Sequence, residues 1–323
     1  MSNEFKGNDL FHRSLSAPAK CYFAYDETDS ADNKIAPLFR VVKNISACST
    51  VHRGVLTDYS RLVVIGDSLS DSEGNMYAKT FGFLPSAPQY YEGRFTNGFT
   101  WVDFISSPHL MKTTVVNKSE GGALSGSYCK LNPLYIFLSN MNRQIRSLSF
   151  NVDDLVIVSL GANDYITINE KNAEKVVINQ CLRLEKIIKK GARSIVVLGV
   201  PDLSQTPYAL KSTPEYRQEK KELSVLHNKL LSQRIDEINK NHAANILYFD
   251  VASTMNEIKY VADQEGYNTN DAFTNGYIGG SGQLDTAPQY MFNDNVHPTQ
   301  EIHAAFAIKL YDFIAEKLPD NKK

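Results

Sequence analysis

Ser68 follows four apolar residues, Leu62-Val63-Val64-Ile65, and the break Gly66-Asp67. A β-branched run ended by turn residues reads as a buried strand that delivers a hydroxyl at its carboxyl end. Such a hydroxyl becomes a nucleophile only when a base takes its proton and a third group orients that base. The chain carries both groups late, in Phe292-Asn293-Asp294-Asn295-Val296-His297-Pro298-Thr299. An acid three residues before a histidine on one turn can accept the ring Nδ1–H, fixing the tautomer whose Nε2 is left to take a proton. Ser68, Asp294 and His297 are therefore the candidate catalytic residues, with Asp164 a second candidate for the acid.

Attack on a carbonyl places negative charge on its oxygen, and uncharged donors aimed at that point stabilise it. Two further turns carry such donors, Asn117-Lys118-Ser119-Glu120-Gly121-Gly122-Ala123 and Gly161-Ala162-Asn163-Asp164. We assign the N–H groups of Ser68 and Gly122 and the side-chain amide of Asn163 to an oxyanion hole, with Gly121 the alternative to Gly122. Asp67 and Asp164 otherwise read as residues that hydrogen-bond their own turns. The other histidines, at positions 12, 52, 109, 227, 242 and 303, stand in none of these turns and read as surface or core residues.

These groups must be brought together by the elements around them. Apolar runs at 62–65, 114–116, 155–160, 194–200 and 246–250 alternate with helical periodicity, which predicts a parallel sheet with helices on both faces. In such a sheet ligands bind beyond the carboxyl ends of the strands, where the three turns lie. The clearest helix carries Val177, Cys181, Leu184 and Ile188 on one stripe and ends at Gly191. Others are expected at about 215–241 and 299–317. Two stretches break the alternation: an aromatic-rich loop at 86–101 and a Gly/Asn-rich loop at 268–293. Loops of that length border functional sites more often than not. The aromatics of the first suit either packing within the loop or an exposed surface for acyl chains and membrane.

Residues 1–60 show no such regularity and read as an N-terminal extension for targeting or partner binding, with a catalytic domain over 61–323. Formal net charge is -2, from 34 basic and 36 acidic side chains. That leaves no electrostatic footprint for nucleic acid. No apolar run reaches the ~18 residues of a membrane span, and no secretory h-region stands near the start. Four scattered cysteines without a CxxC suit a reducing compartment, and Cys21 with Cys48 is the one pair worth testing for a bridge. No metal or cofactor is called for.

The ordered blocks Gly66-Asp67-Ser68-Leu69, Gly122, Gly161-x-Asn163-Asp164 and Asp294-x-x-His297 resemble those of the GDSL (SGNH) hydrolases. The wider strings at 93–98, 160–165, 201–204 and 292–299 are similar to the glycerophospholipid:cholesterol acyltransferase branch. The resemblance implies a flavodoxin-like three-layer α/β/α sandwich with a five-stranded parallel sheet. It further implies acyl transfer from phospholipid, through an acyl-serine, to cholesterol or water. From secreted effectors in that branch it also implies delivery into the host cytosol and onto host membranes, with a host Rho-family GTPase as activator. A plain esterase acting on small or carbohydrate esters, a GTPase-binding scaffold and a bacterial cytoplasmic location are the competing expectations.

Overall fold

The computed structural model describes residues 40–49, 59–86, 90–128, 133–274 and 289–318. Five strands make one parallel sheet: β1 (Arg61–Gly66), β2 (Thr114–Asn117), β3 (Asp154–Ser159), β4 (Ser194–Leu198) and β5 (Asn245–Phe249), in the order β2-β1-β3-β4-β5. This 2-1-3-4-5 order is the flavodoxin-like one. The third and fourth strands end earlier than the apolar runs suggested, because Leu160 and Val200 already belong to the turns that leave the sheet. Both are buried there, so apolar character outlasts strand geometry.

Five long helices complete the layers: α1 (Arg40–Ala47), α2 (Ala173–Lys189), α3 (Pro214–Asn241), α4 (Val251–Gln264) and α5 (Gln300–Lys317). Successive strand residues point to opposite faces. Val63, Ile65, Val156 and Val158 therefore pack with Val177, Leu184, Leu231 and Ile235 of α2 and α3. Leu62, Val64, Leu155 and Ile157 pack on the other face with α1, α5 and the short helix Trp101–Ser106. The stripe on α2 is as expected, with Cys181 buried in it and Gly191 at φ +114 just past the end.

Three findings differ from the sequence reading. Part of the segment read as an extension is core: α1 buries Val41, Val42 and Ile45 against the last helix. Its first turn is held by a distant residue, Glu301 Oε1, which accepts from the N–H groups of Val41 and Val42 at 2.8 and 3.3 Å. The stretch 268–293 is not wholly a loop, since β6 (Asn268–Ala272) and β7 (Tyr290–Phe292) pair in parallel as a small second sheet. The aromatics of 90–101 are largely interior: Tyr90, Phe95, Phe99 and Trp101 are buried and Tyr91 is half-buried, so they pack within the fold, although Phe95 also lines a cavity.

That aromatic loop is fastened to the start of α5. Thr96 Oγ1 donates to the Pro298 carbonyl at 2.9 Å, and Asn97 Oδ1 accepts from Gln300 N–H at 2.8 Å. Gln300 Oε1 in turn accepts from Phe99 N–H at 2.9 Å. The approach is so close that a Cβ on Gly98 would sit 1.7 Å from Gln300 Oε1, so only glycine fits. Of the cysteines, Cys48 is exposed and Cys181 buried; Cys21 lies outside the described residues, as do His12 and His52.

Candidate active site

β1 ends at Gly66, and its backbone is clamped there by one side chain: Gln144 Oε1 accepts from Gly66 N–H at 2.9 Å while Gln144 Nε2 donates to the Gly66 carbonyl at 2.8 Å. A Cβ on Gly66 would meet Ser119 Oγ at 2.8 Å and Ser70 at 2.9 Å, so the strand can leave the sheet here only as glycine. The turn then closes through Asp67, whose Oδ1 accepts from Leu69 N–H at 3.1 Å. Ser68 emerges from it 8% exposed.

His297 reaches Ser68 across the strand ends. Its Nε2 lies 2.7 Å from Ser68 Oγ and its Nδ1 2.7 Å from Asp294 Oδ2. The other carboxylate oxygen, Oδ1, accepts from the N–H groups of Val296 and His297, each at 2.7 Å. One aspartate thus folds the turn that carries the histidine and also orients its ring. Burial would raise the Asp294 carboxyl, but the His297 charge and these hydrogen bonds outweigh it and hold the group below its ordinary value. Asp164 is engaged elsewhere, by Ser125 N–H at 2.9 Å, Ser125 Oγ at 2.7 Å and the Tyr128 hydroxyl. The histidine's carboxylate partner is Asp294.

Three groups at the site lie outside the predicted triad and oxyanion hole, two of them in the aromatic-rich loop. Tyr90 donates its hydroxyl to Asp294 Oδ2 at 2.8 Å, the oxygen that also faces His297 Nδ1. Phe95 lays its ring 5.0 Å from that of His297. Asp71 is buried and gathers the N–H groups of Asn75, Met76 and Gly121 at 2.7, 3.0 and 3.2 Å, which ties the glycine turn to the serine turn. Burial pushes the Asp71 and Asp67 carboxyls up, to about 6 and about 7.

Gly121 N–H is thereby occupied, which leaves Gly122, at φ +73, as the glycine of that turn with an uncommitted role. Asn163 accepts from Thr167 Oγ1 at 2.8 Å through Oδ1, which fixes the side chain with its amide nitrogen on the other branch. Ser68, Gly122, Asn163 and His297 line one cavity of about 410 Å³, whose remaining wall is largely apolar. A smaller apolar cavity of about 80 Å³ lies behind the histidine turn, beside Trp101 and Met255, and contains neither Ser68 nor His297. Among the described residues, no group of three or more His, Cys, Asp or Glu side chains could hold a metal ion. His227 and His303 are buried core residues, the first facing the Tyr165 hydroxyl at 2.8 Å and the second accepting from Trp101 N–H at 3.3 Å.

A family model for GDSL-like lipase/acylhydrolase matches residues 62–310, from β1 into α5. The chain belongs to this family. Among curated proteins, this GDSL-like chain is 46% identical over 266 residues to the secreted effector protein SseJ of Salmonella typhimurium, covering 80% of this chain and 65% of that protein. It is 37% identical over 182 residues to the phosphatidylcholine-sterol acyltransferase of Aeromonas hydrophila, covering 54% and 53%. It is 24% identical over 284 residues to the thermolabile hemolysin of Vibrio parahaemolyticus, covering 78% and 63%. The GDSL-like chain thus spans between 53% and 65% of the length of these relatives.

Proposed function

We propose that this chain transfers an acyl group from a glycerophospholipid, through an ester on Ser68, to cholesterol or to water. The observation that carries the reading is His297, hydrogen-bonded to Ser68 Oγ and to Asp294 Oδ2 at 2.7 Å each within a GDSL-family fold. Ser68 Oγ attacks the ester carbonyl as His297 Nε2 takes its proton, and Asp294 holds the imidazolium that results. The N–H groups of Ser68 and Gly122 and the Asn163 amide receive the charge of the tetrahedral intermediate. Its collapse breaks the bond to the lysophospholipid oxygen, which takes the proton from His297. A second hydroxyl, from cholesterol or water, then gives its proton to His297 and attacks the acyl-serine, restoring Ser68.

The lipid donor and sterol acceptor are supported by the named activity of the Aeromonas relative, and secretion as an effector by the name of the Salmonella one; action on host membranes is our extension of these. We extend this to a host Rho-family GTPase as activating partner. The test is to incubate the purified chain with phosphatidylcholine–cholesterol vesicles, with and without GTP-loaded Rho-family GTPase, and resolve the lipids. Cholesteryl ester that depends on Ser68 is the expected product, formed faster with the GTPase. Fatty acid alone would make water the acceptor under those conditions. No lipid product, alongside turnover of a short soluble ester, would overturn the reading in favour of a plain esterase.

A further inference from the structure

Two surface turns beside the cavity expose apolar side chains that the proposed reaction does not use. After the short helix Asn75–Lys79, Phe81 is 95% exposed and Phe83 68%; on the single-turn helix Pro133–Phe137, Ile136 is 57% exposed. Single exposed apolar residues are ordinary, but these are held out by a built turn. Gly82 N–H donates to the Tyr77 carbonyl at 2.8 Å and Phe81 N–H to that of Ala78 at 3.2 Å. Thr80 Oγ1 donates to the Met76 carbonyl at 2.8 Å and accepts from Leu84 N–H at 2.9 Å. The result fixes Phe81 at φ +53, in the left-handed region that a non-glycine residue enters only under constraint. Hydrogen bonds and backbone strain are thus both spent on presenting an aromatic ring to solvent.

The two turns form one surface. Lys79 Nζ donates to the Phe137 carbonyl and stands 4.6 Å over the Phe137 ring, and Arg143 donates to the carbonyls of Ile136 and Leu138 at 2.7 and 2.9 Å. The same segments wall the cavity that holds Ser68, through Leu84, Leu134 and Phe137. Leu84 follows Phe83 in the chain and Phe137 follows Ile136, so cavity-wall residues adjoin the exposed ones, with Arg143 and the Lys79–Glu120 ion pair at the same two turns.

We propose that these two turns insert into a phospholipid surface, Phe81 and Phe83 leading, so that the cavity opens onto the layer that supplies the acyl chain. The proposal rests on the reading of the site as acting on glycerophospholipid. With these tips in a bilayer, the apolar cavity wall at Leu84, Leu134 and Phe137 would stand close to the lipid and shorten the water that an acyl chain crosses to reach Ser68. Apolar tips backed by Arg143 and by the Lys79–Glu120 pair match the order of chains and polar headgroups in a lipid layer.

The test uses the full chain and phosphatidylcholine vesicles. In a Ser68→Ala background, which leaves the lipid intact, Phe81→Trp is the reporter, because the one native tryptophan, Trp101, is buried. Its emission should shift to the blue when vesicles are added, and no shift overturns the proposal. With Ser68 in place, the double variant Phe81→Ser/Phe83→Ser should partition onto vesicles at least about tenfold less and release fatty acid from them correspondingly more slowly. Its turnover of p-nitrophenyl butyrate should stay within about twofold, since neither residue lines the cavity. Partition unchanged by the double substitution overturns the proposal, as does binding abolished by raising salt from about 0.15 to about 1 M, which would make it ionic. A dimer that the double substitution dissolves while vesicle binding persists also overturns it, in favour of a contact between copies. Should the protein bind vesicles through these residues and cleave the soluble ester but not phospholipid, the docking surface stands and the acyl donor falls.

Discussion

His297 meets Ser68 and Asp294 at 2.7 Å on either side of its ring, so each partner fixes what the other can do. With Asp294 held ionised by its hydrogen bonds, Nδ1 keeps its proton and Nε2 is left to act as base. Ser68→Ala should lower turnover of a soluble ester by about 10⁴-fold or more with no loss of thermal stability; near-normal rates would remove Ser68 from the mechanism. Tyr90 shares Asp294 Oδ2 with the histidine, at 2.8 Å. A hydrogen bond to a charged group contributes about 1.5–3 kcal/mol, so Tyr90→Phe should lower kcat roughly tenfold or more. The KM for a soluble ester should barely move, because the hydroxyl orients the acid and does not line the cavity. A change in KM with kcat intact would mean that Tyr90 touches substrate instead.

Between elements, the site depends on contacts that join distant stretches. The segment Gly93-Arg94-Phe95-Thr96-Asn97-Gly98 is a latch: its threonine and asparagine grip residues 298 and 300, and Arg94 binds Asp103 of the helix that follows at 3.1 and 3.0 Å. Gly98→Ala would place a methyl carbon 1.7 Å from Gln300 Oε1 and expel the side chain that accepts from Phe99 N–H. Overpacking of this kind costs about 1–3 kcal/mol, measurable by denaturant unfolding, and activity should fall with it because Pro298 adjoins His297. An alanine variant of unchanged stability would mean that the latch gives way without cost. The latch is visible in the sequence as a string of turn residues, but its partner is not. The same holds for Gln144, which clamps Gly66 from 78 residues away, and for Glu301, which caps a helix about 260 residues earlier. Each pairs one polar side chain with a backbone group far along the chain, and no local spacing reports such a pair.

At the level of the whole molecule, burial that outweighs nearby charges and hydrogen bonds sets the pH response. Burial raises Asp67 and Glu301 to about 7 and Asp71 and Asp164 to about 6, each from near 4. For an acid whose folded value is raised, the folded state binds the proton more tightly, so stability is fully present below the unfolded value and is lost as pH rises through the folded one. His227 and His303, lowered by burial to about 3, act in the opposite sense between about 3 and 6.5, and His109, also lowered by burial, adds to them. Four carboxyls oppose three histidines, of which His109 is only partly buried, so the melting temperature should fall as pH rises from about 4.5 to about 7 and level off above. The groups held below their ordinary values, Asp294, Glu170 and Asp263 among them, lose their contribution only at lower pH, outside this window. A melting temperature that climbs steadily from pH 5 to 8 would show that these carboxyls are ionised in the fold.

The parallel sheet, the turns at its carboxyl edge and the order of the blocks that carry Ser68, Asn163, Asp294 and His297 are legible in the chain's residues. These are short-range matters: a β-branched run, a glycine break and an acid three residues before a histidine each act within one turn of chain. Only the folded chain shows that Asp164 is engaged by Ser125 and Tyr128, that Asp71 occupies Gly121, and that Tyr90 reaches Asp294. The fold equally buries Tyr90, Phe95, Phe99 and Trp101 while it leaves Phe81 and Phe83 in solvent. An aromatic residue has the same hydropathy in either place, and which of two loops is covered depends on what the fold brings over it. The eight residues of α1 form no strong helix signal by themselves; they are held by the apolar face of α5 and by one buried carboxylate, both supplied from the far end of the chain.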